Sequence, residues 1–154
     1  MDYVDLNRYD LTDDDGVVSV PICQTEANCP DDHARAFTHP AYAIAAFSDN
    51  DFAVVVLPNP VSYYGLAITP VRLNTDPNFP VNQGDIQETF GWGLTSYAPP
   101  EFTNVPMIAD LGYIPNDVCG SGSPWYPDQI TDNMLCAHDP EKSSCSGDSG
   151  EPFL

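Results

Sequence analysis

The chain has 154 residues with 23 Asp+Glu against 4 Lys+Arg, a formal net charge of −19. A surface of that sign repels phosphate backbones and anionic membrane surfaces, which argues against a nucleic-acid partner. Hydrophobic residues make up 42 % and aromatic residues 11 %, enough apolar surface for a core, so composition argues against disorder.

In chain order, the first residues, Met1-Asp2-Tyr3-Val4-Asp5, are acidic where a signal peptide would be basic and then apolar, and no secretion signal is read there. Either the protein stays inside the cell or its beginning is missing. The run Asp13-Asp14-Asp15-Gly16 invites a calcium loop. An EF-hand would need a ligand where Leu11 stands and a Glu where Ile22 stands, so a solvated turn is expected instead. The longest apolar stretches, Ala41 to Phe47 and Phe52 to Leu57, fall far short of the ~18 residues that cross a bilayer, so no membrane span is expected.

Sixteen prolines and ten glycines punctuate short runs of Val, Ile, Phe and Tyr, and no long segment has apolar residues at helical spacing. This pattern predicts an all-β protein. Strands are expected at Val17 to Pro21, Phe52 to Leu57, Ala67 to Val71, Asp85 to Gly91 and Thr103 to Ala109, with one helical turn near Asn116 to Cys119. The polar, Pro-bearing stretch Asn74 to Pro80 reads as a linker, dividing the chain into residues 1–77 and 78–154.

Five cysteines stand at 23, 29, 119, 136 and 145, none in a Cys-x-x-Cys pair, beside three histidines. That spacing argues against a metal site and for disulfides, with one cysteine left over. The segment richest in chemistry is Cys145-Ser146-Gly147-Asp148-Ser149-Gly150-Glu151-Pro152. A serine among glycines suits a nucleophile, because small neighbours permit a sharp turn and let backbone N–H groups approach a developing oxyanion. An ordinary Gly/Ser turn has the same composition.

Three further segments narrow the choice. Gly91-Trp92-Gly93, then Ile130-Thr131-Asp132-Asn133-Met134-Leu135-Cys136-Ala137, then the serine segment, resemble in order and content the second half of trypsin-like serine proteases. Upstream, His39-Pro40-Ala41-Tyr42 followed by Asn50-Asp51-Phe52-Ala53-Val54-Val55-Val56-Leu57 is similar to the family segment that carries the orienting aspartate into a buried strand. The first 35 residues match only loosely.

The resemblance implies two antiparallel six-stranded β-barrels, both incomplete in this chain. Asp51 would lie in the first, residues 1–77, and Ser149 in the second, residues 78–154. Ser149 would be the nucleophile and Asp51 the buried carboxylate that orients the catalytic histidine. The N–H groups of Gly147 and Ser149 would form the oxyanion hole, and Asp148 would accept the ammonium of a new N-terminus after zymogen cleavage. Cys119 and Cys136 resemble the family pair around the specificity pocket, a closure worth on the order of 3 kcal/mol. Cys145 would have lost its partner to truncation, while Cys23 and Cys29 are read as clipping an inserted surface loop.

The family histidine precedes the aspartate by about 45 residues, and neither His33 nor His39 stands so far upstream. His39 falls in the His-Pro segment, which is not catalytic, and His138 is read as a solvent-exposed loop residue. The catalytic histidine would therefore precede this sequence, and the last strands of the family would follow it. At the pocket base the ungapped position is Ser143, which favours an apolar or aromatic side chain before the scissile bond; Glu141 would reverse that if the loop were longer. Glu151 replaces the family's usual glycine and adds a charge beside the active-site turn.

The expected function is a secreted serine endopeptidase acting on protein or peptide substrates, with no cofactor, the chain as given being inactive for want of its histidine. A catalytically inactive homologue that binds a protein partner is the alternative. A third reading, an acidic cation-binding protein, would be disposed of by a calcium titration that leaves stability unchanged.

Overall fold

The computed structural model describes residues 2–24, 27–44, 48–76, 78–80, 82–122 and 129–154. Met1, Pro77 at the expected domain boundary and the end of the apolar stretch, Ala45, Ala46 and Phe47, lie outside the described residues. The chain forms two compact units, Met1–Tyr42 with Asp51–Leu73, and Ala43–Asn50 with Asn74–Leu154.

The first unit is a four-stranded sheet of β1 (Asp2–Leu6), β2 (Val18–Cys23), β3 (Ala34–Thr38) and β4 (Ala53–Val56), in that spatial order. β1 and β2 form an antiparallel hairpin from Asp2 opposite Ile22 to Leu6 opposite Val18. Its long connection contains the acidic run and is organised by one cation. The Arg8 guanidinium donates to Asp5 at 3.0 Å, to Asp14 at 2.6 Å and to the carbonyl of Asp13 at 3.0 Å. The carboxylates of Asp10 and Asp13 accept the amides of Thr12 and Asp15, closing two Asx turns. The Ser19 hydroxyl, and then Arg8, hold the Asp5 carboxyl below its ordinary value of 3.8.

β2 and β3 pair in parallel, Ile22 with Ala34 and Cys23 with Arg35, a departure from the purely antiparallel expectation. The Cys23–Cys29 bridge folds the outgoing chain back on itself, and Ala34 then enters alongside β2 in the same direction. β3 and β4 are antiparallel, from Arg35 opposite Val56 to Thr38 opposite Ala53. The expected strand at Ala67 to Val71 does not form; Pro70 removes a ladder donor in mid-run and Ile68 and Val71 are exposed.

The second unit holds β5 (Ile86–Gly91), β6 (Leu94–Tyr97), β7 (Pro100–Phe102), β8 (Met107–Ile114), α1 (Asn116–Gly122) and β9 (Cys136–His138). One sheet has the order β5-β8-β9, and β6 pairs with β7 separately. β8 starts at Met107, later than the expected Thr103, because Pro106 has no amide to give the ladder. His138, expected in a loop, ends β9 opposite Gly112. The short helix α1 is tied down twice. Cys119 is bridged to Cys136, and the Asn116 amide donates to the carbonyls of Thr131 and Met134, each at 2.9 Å.

β5 alternates in burial, with Gln87, Thr89 and Gly91 inward. Its outer edge is extended by the last residues of the chain. Glu88 and Leu154 exchange both backbone hydrogen bonds, at 3.0 and 2.8 Å, and Phe153 bridges to Thr89. This places the segment from Glu151 onward against the strand and brings Glu151 beside Thr89.

Among the described residues only Val20, Ala34 and Leu111 are fully buried apolar side chains. Every residue of β4 is exposed, with Val54 at 55 % and Val56 at 49 %. Such an unbroken Val run normally marks a strand buried on both faces. Within this sheet β1 and β4 are the edges, and bare apolar edges recruit other chains. The isolated chain is therefore expected to self-associate and to bind an apolar dye at neutral pH despite its charge, as read by sedimentation and dye fluorescence. A monomer with a single sharp, cooperative melt would contradict this.

Candidate active site

The serine segment is a sharp turn built on the second unit. The Asp148 amide donates to the Cys145 carbonyl at 3.1 Å, and the Glu151 amide donates to the Asp148 carbonyl at 3.0 Å, so Ser149 lies within the second of two consecutive tight reversals. Gly147 has φ +104° and Gly150 φ +94°, a region that side chains with a Cβ rarely occupy. Gly147 is doubly constrained. A Cβ there would come within 3.0 Å of the Gly93 Cα, so two backbones meet at that point with no room for a side chain.

Asp148 holds the turn together. One oxygen of its carboxylate accepts the Gly93 amide at 2.6 Å, and the other accepts the Cys145 amide at 2.8 Å. The Leu94 amide adds a bond to the Ser146 carbonyl at 3.0 Å. The segment Gly91-Trp92-Gly93 thus serves as the seat for the serine turn, and a Cβ on either glycine would collide with the Asp148 carboxylate. In this structure the acceptor capacity of Asp148 goes to backbone amides, where the sequence suggested an ammonium group.

Ser149 is exposed. Among the described residues the amides of Gly147 and Ser149 donate to no protein acceptor. Behind the turn lies a cavity of about 370 Å³ whose wall includes Thr89, Met107, Ser143, Cys145, Asp148 and Glu151, but not Ser149. Ser143 and Glu141, the two candidates for the pocket base, both reach this wall. Cys145 has a free, half-buried thiol there.

Asp51 belongs to the first unit, just before β4. The expected burial of its carboxylate is not found. Asp51 is exposed, because the strand it leads into is itself uncovered. Of the histidines, His39 has a structural role. Its Nδ1 accepts the Ala41 amide at 3.2 Å, its own amide donates to the Phe52 carbonyl at 3.1 Å, and its ring packs 4.7 Å from that of Phe52. His33 pairs with Asp32 at 2.9 Å and lowers that carboxyl below its ordinary value. His138 is exposed.

The sequence reading missed Asp49. It is 2 % exposed, and its Oδ1 accepts the Thr131 hydroxyl at 2.6 Å and the Asn133 amide at 3.2 Å, while Oδ2 accepts the Asn50 side chain at 2.9 Å. It ties the segment Ala43–Asn50 to the turn before β9. The only visible signal was a polar Asp-Asn-Asp run and a distant Thr-Asp-Asn run, and nothing local pairs them. Asp49→Ala removes the acceptor of three donors, two of them on the half-buried Thr131 and Asn50, and is expected to cost about 1–3 kcal/mol in urea unfolding. Asp49→Asn, which keeps one acceptor oxygen, should cost less, and equal stability of the alanine variant and the parent would contradict this role.

A helix long and apolar enough to cross a membrane is absent among the described residues. The family model described as Trypsin matches residues 22–154. Thrombin-like enzyme kangshuanmei of Gloydius brevicauda is 32 % identical over 108 residues, covering 69 % of this chain and 43 % of the relative. Trypsin epsilon of Drosophila erecta is 33 % identical over 105 residues, 68 % of this chain and 40 % of its own length. Trypsin-3 of Salmo salar is 33 % identical over 125 residues, 80 % and 49 % respectively. The chain thus spans less than half the length of these curated relatives. The solved structure of neuropsin, a serine protease expressed in the limbic system of mouse brain, superimposes with a TM-score of 0.73 at 22 % identity, over 99 % of this chain and 61 % of that one. The fold is trypsin-like and mostly β, and the chain belongs to the trypsin family of serine proteases.

Proposed function

We propose that this chain is part of a serine endopeptidase of two antiparallel six-stranded barrels, with Ser149 as nucleophile and Asp51 as the carboxylate that orients the base. The Ser149 Oγ attacks the peptide carbonyl carbon as a histidine takes its proton. The histidine returns that proton to the leaving amine, and water then hydrolyses the acyl-enzyme by the same route. The oxyanion formed on the way is received by the amides of Gly147 and Ser149. The observation that carries this reading is the serine turn: positive φ at Gly147 and Gly150, an exposed Ser149 and two amides without a protein acceptor beside it.

His33, His39 and His138 do not supply the base in this reading, since His39 is committed to its own turn and the other two sit outside the family position. Acyl transfer of this kind needs no organic cofactor. Protein or peptide substrates and an oxidising, extracellular setting follow from the family and from the two disulfides. Ser143 at the pocket base would favour an uncharged side chain before the scissile bond. Asp148 would exchange its backbone donors for the ammonium of a new N-terminus on activation.

A second reading, an inactive homologue that binds a protein partner, is favoured by Glu151, whose side chain crowds Asp148 where the family has glycine. Labelling the whole protein with a fluorophosphonate separates the two. The enzyme reading predicts modification of Ser149, loss of label in Ser149→Ala and a fall in peptide hydrolysis of at least about 10³-fold. The 154-residue chain alone should hydrolyse no faster than its Ser149→Ala variant. Unlabelled whole protein, or hydrolysis untouched by Ser149→Ala, would overturn the enzyme reading.

A further inference from the structure

Glu151 introduces a second carboxyl into the seat of the serine turn. Oxygens of Asp148 and Glu151 converge on the space above Gly91 that a side chain would fill. Glu151 Oε1 is buried without a hydrogen-bond partner, and so is the hydroxyl of Thr89 beside it, which is itself only 2 % exposed. Both oxygens of Asp148 already accept backbone amides, so the acid next to it has no donor of its own except a proton.

Two carboxyls this close do not both ionise without repulsion, and the usual resolution is one proton between them. We propose that Asp148 and Glu151 share a single proton carried on Glu151, and that Glu151 is a positioning residue which, while protonated, holds Asp148 and hence the Cys145–Gly150 turn in place. Loss of that proton sets two negative charges against each other beneath Ser149 and loosens the turn. The inference does not depend on Ser149 acting as a nucleophile.

Burial raises the Glu151 carboxyl above its ordinary value of 4.5; the Thr89 hydroxyl opposes this, and the neighbouring Asp148 carboxyl adds to it. That hydroxyl is near enough to act on the charge, yet it completes no well-formed bond. The other ionisable groups on the cavity wall are Tyr97 of β6 and, on the loop before the turn, Glu141, Lys142 and Cys145. Lys142 is drawn 4.0 Å from Asp110 of β8, and the β5 residues on the wall, Thr89, Phe90 and Gly91, carry no charge.

A carboxyl whose folded-state pKa is raised makes the folded chain hold the extra proton. Its contribution is fully present below the ordinary glutamate range and is lost as pH rises through the folded-state value.

The test is a carboxyl-carbon NMR titration of the whole protein of which this chain is part, with melting temperature followed over the same pH range in the parent and in Glu151→Gln. Glutamine keeps a donor toward Asp148 and cannot ionise. Glu151 is expected to titrate above the ordinary glutamate range, and the fall in melting temperature above that range should vanish in Glu151→Gln. Titration of Glu151 within the ordinary glutamate range, or a parental pH slope in Glu151→Gln, would overturn the proposal. The NMR reading needs no variant, so failure of Glu151→Gln to fold leaves it decisive.

Discussion

The Asp148 carboxylate, accepting amides from Gly93 on one oxygen and Cys145 on the other, is the constraint from which the candidate site is built. In the turn around Ser149 every residue from Cys145 to Gly150 is exposed except Cys145 and Asp148, which are half-buried. The shape of that turn comes from two left-handed glycines, a backbone-to-backbone approach between Gly147 and Gly93, and this one acid. Charged acceptors make stronger hydrogen bonds than neutral ones, and a carboxylate that accepts from two separate segments fixes both together. The empty Cβ positions of Gly91 and Gly93 are the room that carboxylate needs.

The two units differ in how they are stabilised. The second is closed by specific links: a disulfide from α1 to β9, the Asn116 side chain on two carbonyls, Asp49 on Thr131 and Asn133, and the end of the chain against β5. The first has one ordered hairpin pinned by Arg8 and a strand, β4, whose valines face solvent. Hydrophobic burial is normally the dominant stabilising term, and among the described residues each unit realises little of it, with Val20 and Ala34 buried in the first and Leu111 in the second. Polar links therefore carry an unusual share of the order in this chain.

Much of the site was legible from local sequence because its determinants are local. Gly-Asp-Ser-Gly specifies a turn by itself, Gly91-Trp92-Gly93 carries part of the family resemblance, and the strand expected at Asp85 to Gly91 forms as β5. The family followed from the order of these segments. What was not legible depends on distant partners. Asp49 and Thr131 are separated by 82 positions, and no periodicity links them. The exposure of Asp51 reflects what does not cover β4, and the valine run read as buried for the same reason. The parallel pairing of β2 with β3 depends on how a bridged loop returns. The convergence of Glu151 on Asp148 required knowing that the chain end lies along β5, although the departure from glycine at 151 was visible as an oddity.

Asp148 organises the serine turn by accepting the amides of Gly93 and Cys145. Residue-resolved amide hydrogen exchange on the parent chain and on Asp148→Ala measures this directly. Both amides are expected to be protected in the parent and to exchange like open loop in the variant, while the amides shared between β5 and β8 stay protected. Equal protection of Gly93 and Cys145 in the two proteins would contradict this role of Asp148.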